Sequence, residues 1–153
     1  MQTLTIDPGL QGTGWAYFRG EGMPADSGVI RPPKGDDLPH RANAALSSLK
    51  RELGQKNIGH VVLEMPGLWS GSAMSQAAAA RGDLTSLAYL VGVLSTVRPR
   101  AIVRLVAPGE WKGQLPKDVV ISRIRRAWKY NGDIRDHEAD AWGIGLWLQQ
   151  GKL

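Results

Sequence analysis

"TLTIDPGLQGTGWAYF" (Thr3–Phe18) carries the reading on which the fold turns. Residues 2–6 and 14–18 have the composition of two strands, and the segment between them is a glycine-rich turn, so the stretch reads as a hairpin. Strand alternation sends Leu4 and Ile6 to one side, and Thr5 and Asp7 to the other. Asp7 closes the first strand with Pro8-Gly9 directly behind it. Asp-Pro-Gly is ordinary turn chemistry. A second reading is that the carboxylate is aimed at a cation, because an acid at the tail of a buried strand needs its charge compensated. Gly12 and Gly14, and Gly9 with them, are expected to let the chain turn tightly beside Asp7.

Outward from this hairpin, "DSGVI" (26–30) reads as a third short strand and residues 31–40 as a proline-bearing loop. Residues 40–53 place Ala42, Ala45, Leu46, Leu49 and Leu53 at helical spacing, with Gly54 as the stop. "HVVLE" (60–64) is a continuous apolar run ending in Glu64, the pattern of an interior parallel strand. Residues 68–73 form a loop, and residues 73–97 read as one long helix. "AIVRLV" (101–106) is a strand, and 108–117 a loop. A helix then runs from Pro116 to about Trp128, and a last one from about Asp136 to Gln150. Early antiparallel strands followed by βαβ crossovers predict an α/β fold: a five-stranded mixed sheet with helices on both faces. The length of 153 residues predicts a single domain over 1–153.

The formal net charge of +5 is concentrated between Arg98 and Lys129, where only Glu110 and Asp118 oppose the basic side chains. Such a block predicts a polyanion partner, nucleic acid above all, or else a solvated basic helix. No cysteine is present, which excludes disulfides and Cys-based zinc sites. The absence of a leader-like start and of any membrane-length apolar run predicts a cytoplasmic protein with no membrane partner.

Glu64 repeats the theme of Asp7, a carboxylate at the end of an apolar strand. "DIRDHEADAWGIGLWL" puts His137 and Asp140 three apart and Asp136 and Asp140 four apart, spacings that share a helix face. Asp136 has a second reading as a helix N-cap, and Glu138 points away from Asp140. Gly143 and Gly145 lie inside the helix pattern, where close approach of the helix to the sheet explains them. Oxygen-rich groups from two strand ends and one helix start suit Mg²⁺ or Mn²⁺. Two such ions can activate a water against a phosphodiester.

"IDPGLQGTGWA", "VVLEMP" and "HEADAWGIG" resemble, in order and position, the RuvC-type Holliday junction resolvases of the ribonuclease H-like nucleases. "APGEWKGQLPK" is more similar to the resolvase-like proteins of bacteriophages, which implies a bacterial or phage-infected host cytosol. The resemblance implies a ribonuclease H-like domain that cuts four-way DNA as a homodimer with Mg²⁺ or Mn²⁺, two ions per site. The implied metal ligands are Asp7, Glu64, His137 and Asp140. Many relatives carry aspartate where His137 stands, so Asp136 is an alternative fourth ligand.

The remaining candidates are contacts to DNA. Trp69, Ser70 and Ser72 lie in the loop behind Glu64, where Trp69 either stacks on exposed bases or caps the core. Arg81 lies on the long helix, whose small residues Ser75 and Ala78 make a candidate dimer face. Lys112, Lys117, Arg123 and Arg126 are expected on phosphates. Trp142 and Trp147 read as core aromatics. Actin-like ATPases share an Asp-x-Gly hairpin but need two large lobes. Rival readings are a ribonuclease H-like enzyme, a broader branched-DNA nuclease, and a junction-binding protein that does not cut.

Overall fold

The structure is a computed structural model, and it describes residues 2–35, 37–67, 82–151 and 153. The strands are β1 (Thr3–Asp7), β2 (Thr13–Phe18), β3 (Asp26–Ile30), β4 (His60–Glu64) and β5 (Ile102–Val106). They form one sheet in the order β3-β2-β1-β4-β5. β1–β2 and β2–β3 are antiparallel, whereas β1–β4 and β4–β5 are parallel. The mixed sheet expected from the sequence is therefore present, with β1 reaching Asp7 itself. β5 is one of the two edge strands, and Ile102, Val103 and Leu105 are exposed on it.

The alternation of side chains divides the core in two. Leu4, Ile6, Trp15, Tyr17, Val61 and Leu63 point to the face covered by α1 (Leu38–Leu53) and α2 (Asp83–Leu94). Ala16, Phe18, Val62 and Val106 point to the opposite face, covered by α3 (Pro108–Trp111), α4 (Lys117–Trp128) and α5 (Asp136–Gln150). α5 is buried on all sides from Glu138 through Leu146. That is why its apolar residues show no one-sided stripe.

Three differences from the sequence reading go beyond a one-residue shift of a strand end. α1 starts two residues earlier, because the Asp37 carboxylate accepts the His40 N–H at 2.9 Å and Pro39 fits the first turn. The uninterrupted helix expected over 73–97 is not present: α2 begins behind Gly82, whose φ of 75° is left-handed and incompatible with a helix interior. The expected loop 108–117 contains the short helix α3. It starts with Pro108, and the Glu110 carboxylate accepts the Ala107 N–H at 2.9 Å. Ser75, Ala78 and the proposed dimer face lie outside the described residues.

Candidate active site

The parallel register places Ile6 opposite Leu63, so Asp7 stands level with Glu64 on neighbouring strands, about 4.8 Å apart in a regular sheet. Both side chains project to the face that α5 covers. α5 is held to β1 and β2 by Thr5, a fully buried hydroxyl that donates to the Ala141 carbonyl at 2.7 Å. The same hydroxyl lies 3.3 Å from the Ala16 carbonyl. This contact fixes the helix turn that carries Asp140.

Two glycines of the first hairpin, Gly12 and Gly14, do a different job from the one expected. None of Gly9, Gly12 and Gly14 has a positive φ. A methyl group on Gly14 would overlap the His137 carbonyl, and one on Gly12 would crowd the His137 ring. These two glycines let the start of α5 descend onto the hairpin. Gly9 does tighten the turn, since a methyl group there would overlap the Gly12 carbonyl. Gly145 makes the same kind of room for Phe18 on the sheet, whereas Gly143 makes room for Trp111.

Asp7, Glu64 and Asp140 meet beneath this helix start, and two lysines reach in among them. Lys112 Nζ lies 3.4 Å from Glu64 Oε2 and 3.7 Å from Asp140 Oδ2. Lys117 Nζ lies 2.7 Å from Asp140 Oδ2 and donates to the Asp136 carbonyl at 3.0 Å. His137 Nδ1 is 3.6 Å from Asp7 Oδ2, with its side chain 38% exposed. The Trp111 indole N–H donates to Glu64 Oε2 at 2.7 Å. Asp140 Oδ1 is buried with no hydrogen-bond partner.

The electrostatics follow from burial and crowding. Burial pushes the Asp7 carboxyl up, against the hydrogen bond from His137, and the charge of Asp140 pushes it further. Glu64 is pushed up to about 7, first by burial and then by the charge of Asp7. The bond to Asp7 raises His137. Burial acts to lower Lys117, but the bond to Asp140 and its charge prevail, so it too is raised. These are carboxylates short of positive charge.

Among the described residues no three His, Asp or Glu side chains are gathered tightly enough to hold one ion as they stand. Lys112 instead bridges Glu64 and Asp140, supplying the positive charge that the acids lack. The donor set still fits a hard cation. Its three acids offer only oxygen and are short of charge, and they include the unpartnered Asp140 Oδ1. Both lysine stems are long enough to withdraw.

The structure brings together Asp7, Glu64, Asp140 and His137, and it draws Lys112 and Lys117 into the same cluster. Asp136 is exposed at the first position of α5 and offers its carbonyl to Lys117. The N-cap position belongs to Arg135, so the N-cap reading of Asp136 is corrected. Glu138 faces away from the cluster, accepting from Ser27 at 2.5 Å and pairing with Arg135 at 3.1 Å. Arg123 donates to the Leu153 carbonyl. It therefore sits at the far end of α5, roughly 15 Å from Asp140 at 1.5 Å per residue. Arg126 is exposed on the same helix, α4. Trp142 is buried, as expected, and Trp147 lies at the core edge with the Arg104 guanidinium 5.0 Å from its ring. Trp69, Ser70, Ser72 and Arg81 lie outside the described residues. The residue missed from sequence is Trp111, whose position in an apparent loop gave no sign that it would turn back to Glu64.

No protein-family model matches the chain, and no curated protein matches it. Among solved structures, Thermus thermophilus RuvC superposes with a TM-score of 0.71 at 16% identity, covering 99% of this chain and 97% of that one. The chain has the fold of RuvC. T. thermophilus RuvC in complex with a Holliday junction substrate gives a TM-score of 0.73 at 16% identity, with the same coverage. The RuvC likeness thus spans nearly the whole of both chains, as the three sequence segments implied.

Proposed function

We propose that this chain is a divalent-metal-dependent endonuclease that resolves four-way DNA junctions. The observation that supports this best is the meeting of Asp7, Glu64 and Asp140 on one face of a RuvC-type sheet, with two lysines beside them. In this reading Asp7, Glu64 and Asp140 hold Mg²⁺ or Mn²⁺, with His137 as fourth ligand or as the group that orients the attacking water. Bound ions supply an activated water and stabilise the leaving oxygen of the phosphodiester. His137, bonded to Asp7 and partly open to solvent, is placed to take or give a proton at the rim. Lys112 and Lys117, released from the carboxylates, are placed to meet the DNA phosphates. The branched substrate is suggested by the junction complex of the T. thermophilus protein.

A homodimer acting in the cytoplasm completes the proposal, because a twofold pair presents two sites to the matching strands of a junction. Among the described residues no helix is long and apolar enough to cross a membrane. A second reading, a junction-binding protein that does not cut, draws on the ion pairs that already neutralise Glu64 and Asp140. The test uses labelled immobile junction, plain duplex and RNA–DNA hybrid, each with Mg²⁺ or chelator. Paired cuts in the junction alone, with Mg²⁺ alone and leaving 5′-phosphate ends, are expected. Cutting of the hybrid would favour the ribonuclease H-like reading, and junction binding without cutting would favour the binder.

A further inference from the structure

We infer that Trp111 is a positioning residue: its indole N–H fixes one oxygen of Glu64 and so sets the orientation in which that carboxylate meets a ligand. The inference rests on the nuclease reading of that cluster. The geometry begins at paired strand ends. Glu64 closes β4 opposite Val106 at the end of β5, and the Met65 N–H donates to the Val106 carbonyl at 2.7 Å. The chain then enters α3 and, five residues after Val106, brings Trp111 back over Glu64. α3 is tied down at its start by the Glu110 carboxylate on the Ala107 N–H, and Arg104 lies 3.7 Å from the same carboxylate.

The indole has little freedom. Trp111 is 3% exposed, and its ring occupies the slot opened by Gly143 on α5, where a methyl group would collide with the ring. The neighbouring Lys112 ammonium lies 4.7 Å from the ring centroid, a cation–π distance. One side chain therefore steadies both the carboxylate and the lysine that bridges Glu64 to Asp140. Both contacts to Glu64, from Trp111 at 2.7 Å and Lys112 at 3.4 Å, fall on Oε2. Among the described residues Oε1 takes neither, so it is the oxygen left for a ligand. The contrast with other buried indoles is direct: the N–H groups of Trp15 and Trp142 have no hydrogen-bond partner.

The test replaces Trp111→Phe, which keeps an aromatic ring and removes the donor. Three readouts are taken on the full chain. Titration calorimetry with Mn²⁺ should show affinity weakened about tenfold, the usual cost of losing a hydrogen bond to a metal ligand. Single-turnover cleavage of the junction should slow by a similar factor and recover at raised Mn²⁺, with junction affinity unchanged. In ¹⁵N-tryptophan-labelled wild type, the indole signal absent from W111F should shift on Glu64→Gln and on Mn²⁺ addition. Unchanged Mn²⁺ affinity in W111F, or an indole signal indifferent to Glu64→Gln, overturns the inference. Should W111F fail to fold, the Trp111 indole signal is assigned in the wild type through its own backbone resonances, and the Glu64→Gln spectrum decides alone. A wild type that binds no Mn²⁺ and cuts no branched DNA overturns the nuclease reading and this inference together. A cutting wild type matched by W111F overturns this inference only.

Discussion

On one face of the sheet, Leu4, Ile6, Val61 and Leu63 meet the apolar sides of α1 and α2 in a core with no charged residue. On the other, one residue along the same strands, Thr5, Asp7, Val62 and Glu64 lie under α5. The two faces share a backbone and differ by a single step of the pleat. The first shows what the strands need in order to exist: close-packed apolar side chains, worth about 1.5–3 kcal/mol for each large one fully buried. The second carries buried acids that oppose folding unless a cation or a donor answers them. The second face also has an apolar core under α4 and α5, but the acids lie on that face alone, so changes to the acids and to the first face's apolar residues should have different signatures.

The largest expected effect is on the second face. Asp7→Asn keeps the size of the side chain and removes its charge. Junction cleavage should fall on the order of 10³-fold, several kcal/mol of barrier, while junction binding changes little. Single-turnover kinetics and gel-shift titration measure the two separately. Wild-type cutting by this variant would break the assignment of the acidic face.

The matching change on the first face is Leu63→Ala, one residue before Glu64. Leu63 is fully buried, so the truncation should cost about 2–5 kcal/mol of stability. Cleavage per folded molecule should stay near wild type. Denaturant unfolding gives the first quantity and active-fraction kinetics the second. A large loss of rate in the folded fraction would mean that the faces are coupled through β4.

Much of this division is legible in the amino-acid sequence, because parity is a local property. The alternation in "LTID" and the acid at the end of "HVVLE" place Asp7 and Glu64, and the three-residue spacing of His137 and Asp140 puts both at the start of α5. What is not legible depends on docking. Gly12 and Gly14 look like turn residues until α5 is seen resting on them. Gly82 sits in an uninterrupted helical pattern, and only its left-handed φ shows where α2 begins. Lys112 and Lys117 read as phosphate contacts, yet they pair with Glu64 and Asp140, because α3 and the start of α4 fold back over the strand ends. Trp111 is the extreme case, since its partner lies 47 residues away in the chain.

A third expectation separates the faces by pH. Glu64 has an ordinary value of 4.5 and rises to about 7 in the fold, through burial and the charges of Asp7 and Asp140, against Lys112 and Trp111. A raised acid holds its proton in the folded state, so its contribution to stability is full below pH 4.5 and lost as pH climbs through about 7. At 1.36 kcal/mol per unit this comes to about 3 kcal/mol. Asp7 and His137 are both raised and act in the same direction. Unfolding in chelator should therefore show stability declining from pH 5 to pH 8. Glu64→Gln should flatten the decline, and Ca²⁺ should restore stability at the alkaline end. A flat profile in chelator would mean that the lysines already neutralise the cluster, which favours the non-cutting binder.

The smallest effect tests whether everything on the second face belongs to the site. Lys129 follows α4 with φ 50° and ψ 37°, the one non-glycine residue in the left-handed region among those described. Its N–H still closes the helix on the Arg125 carbonyl, so the conformation is the usual C-terminal cap held by an unsuitable residue. An L-residue there costs about 1 kcal/mol relative to glycine. Lys129→Gly should stabilise the protein by about that amount in denaturant unfolding, even though it removes a positive charge from the basic helix. Cleavage rate and Mn²⁺ affinity should not move, because the change lies at the end of α4 remote from Lys117 and the acids. If the rate moves with it, α4 transmits to the site along its length, and no boundary between stability and chemistry runs within the second face.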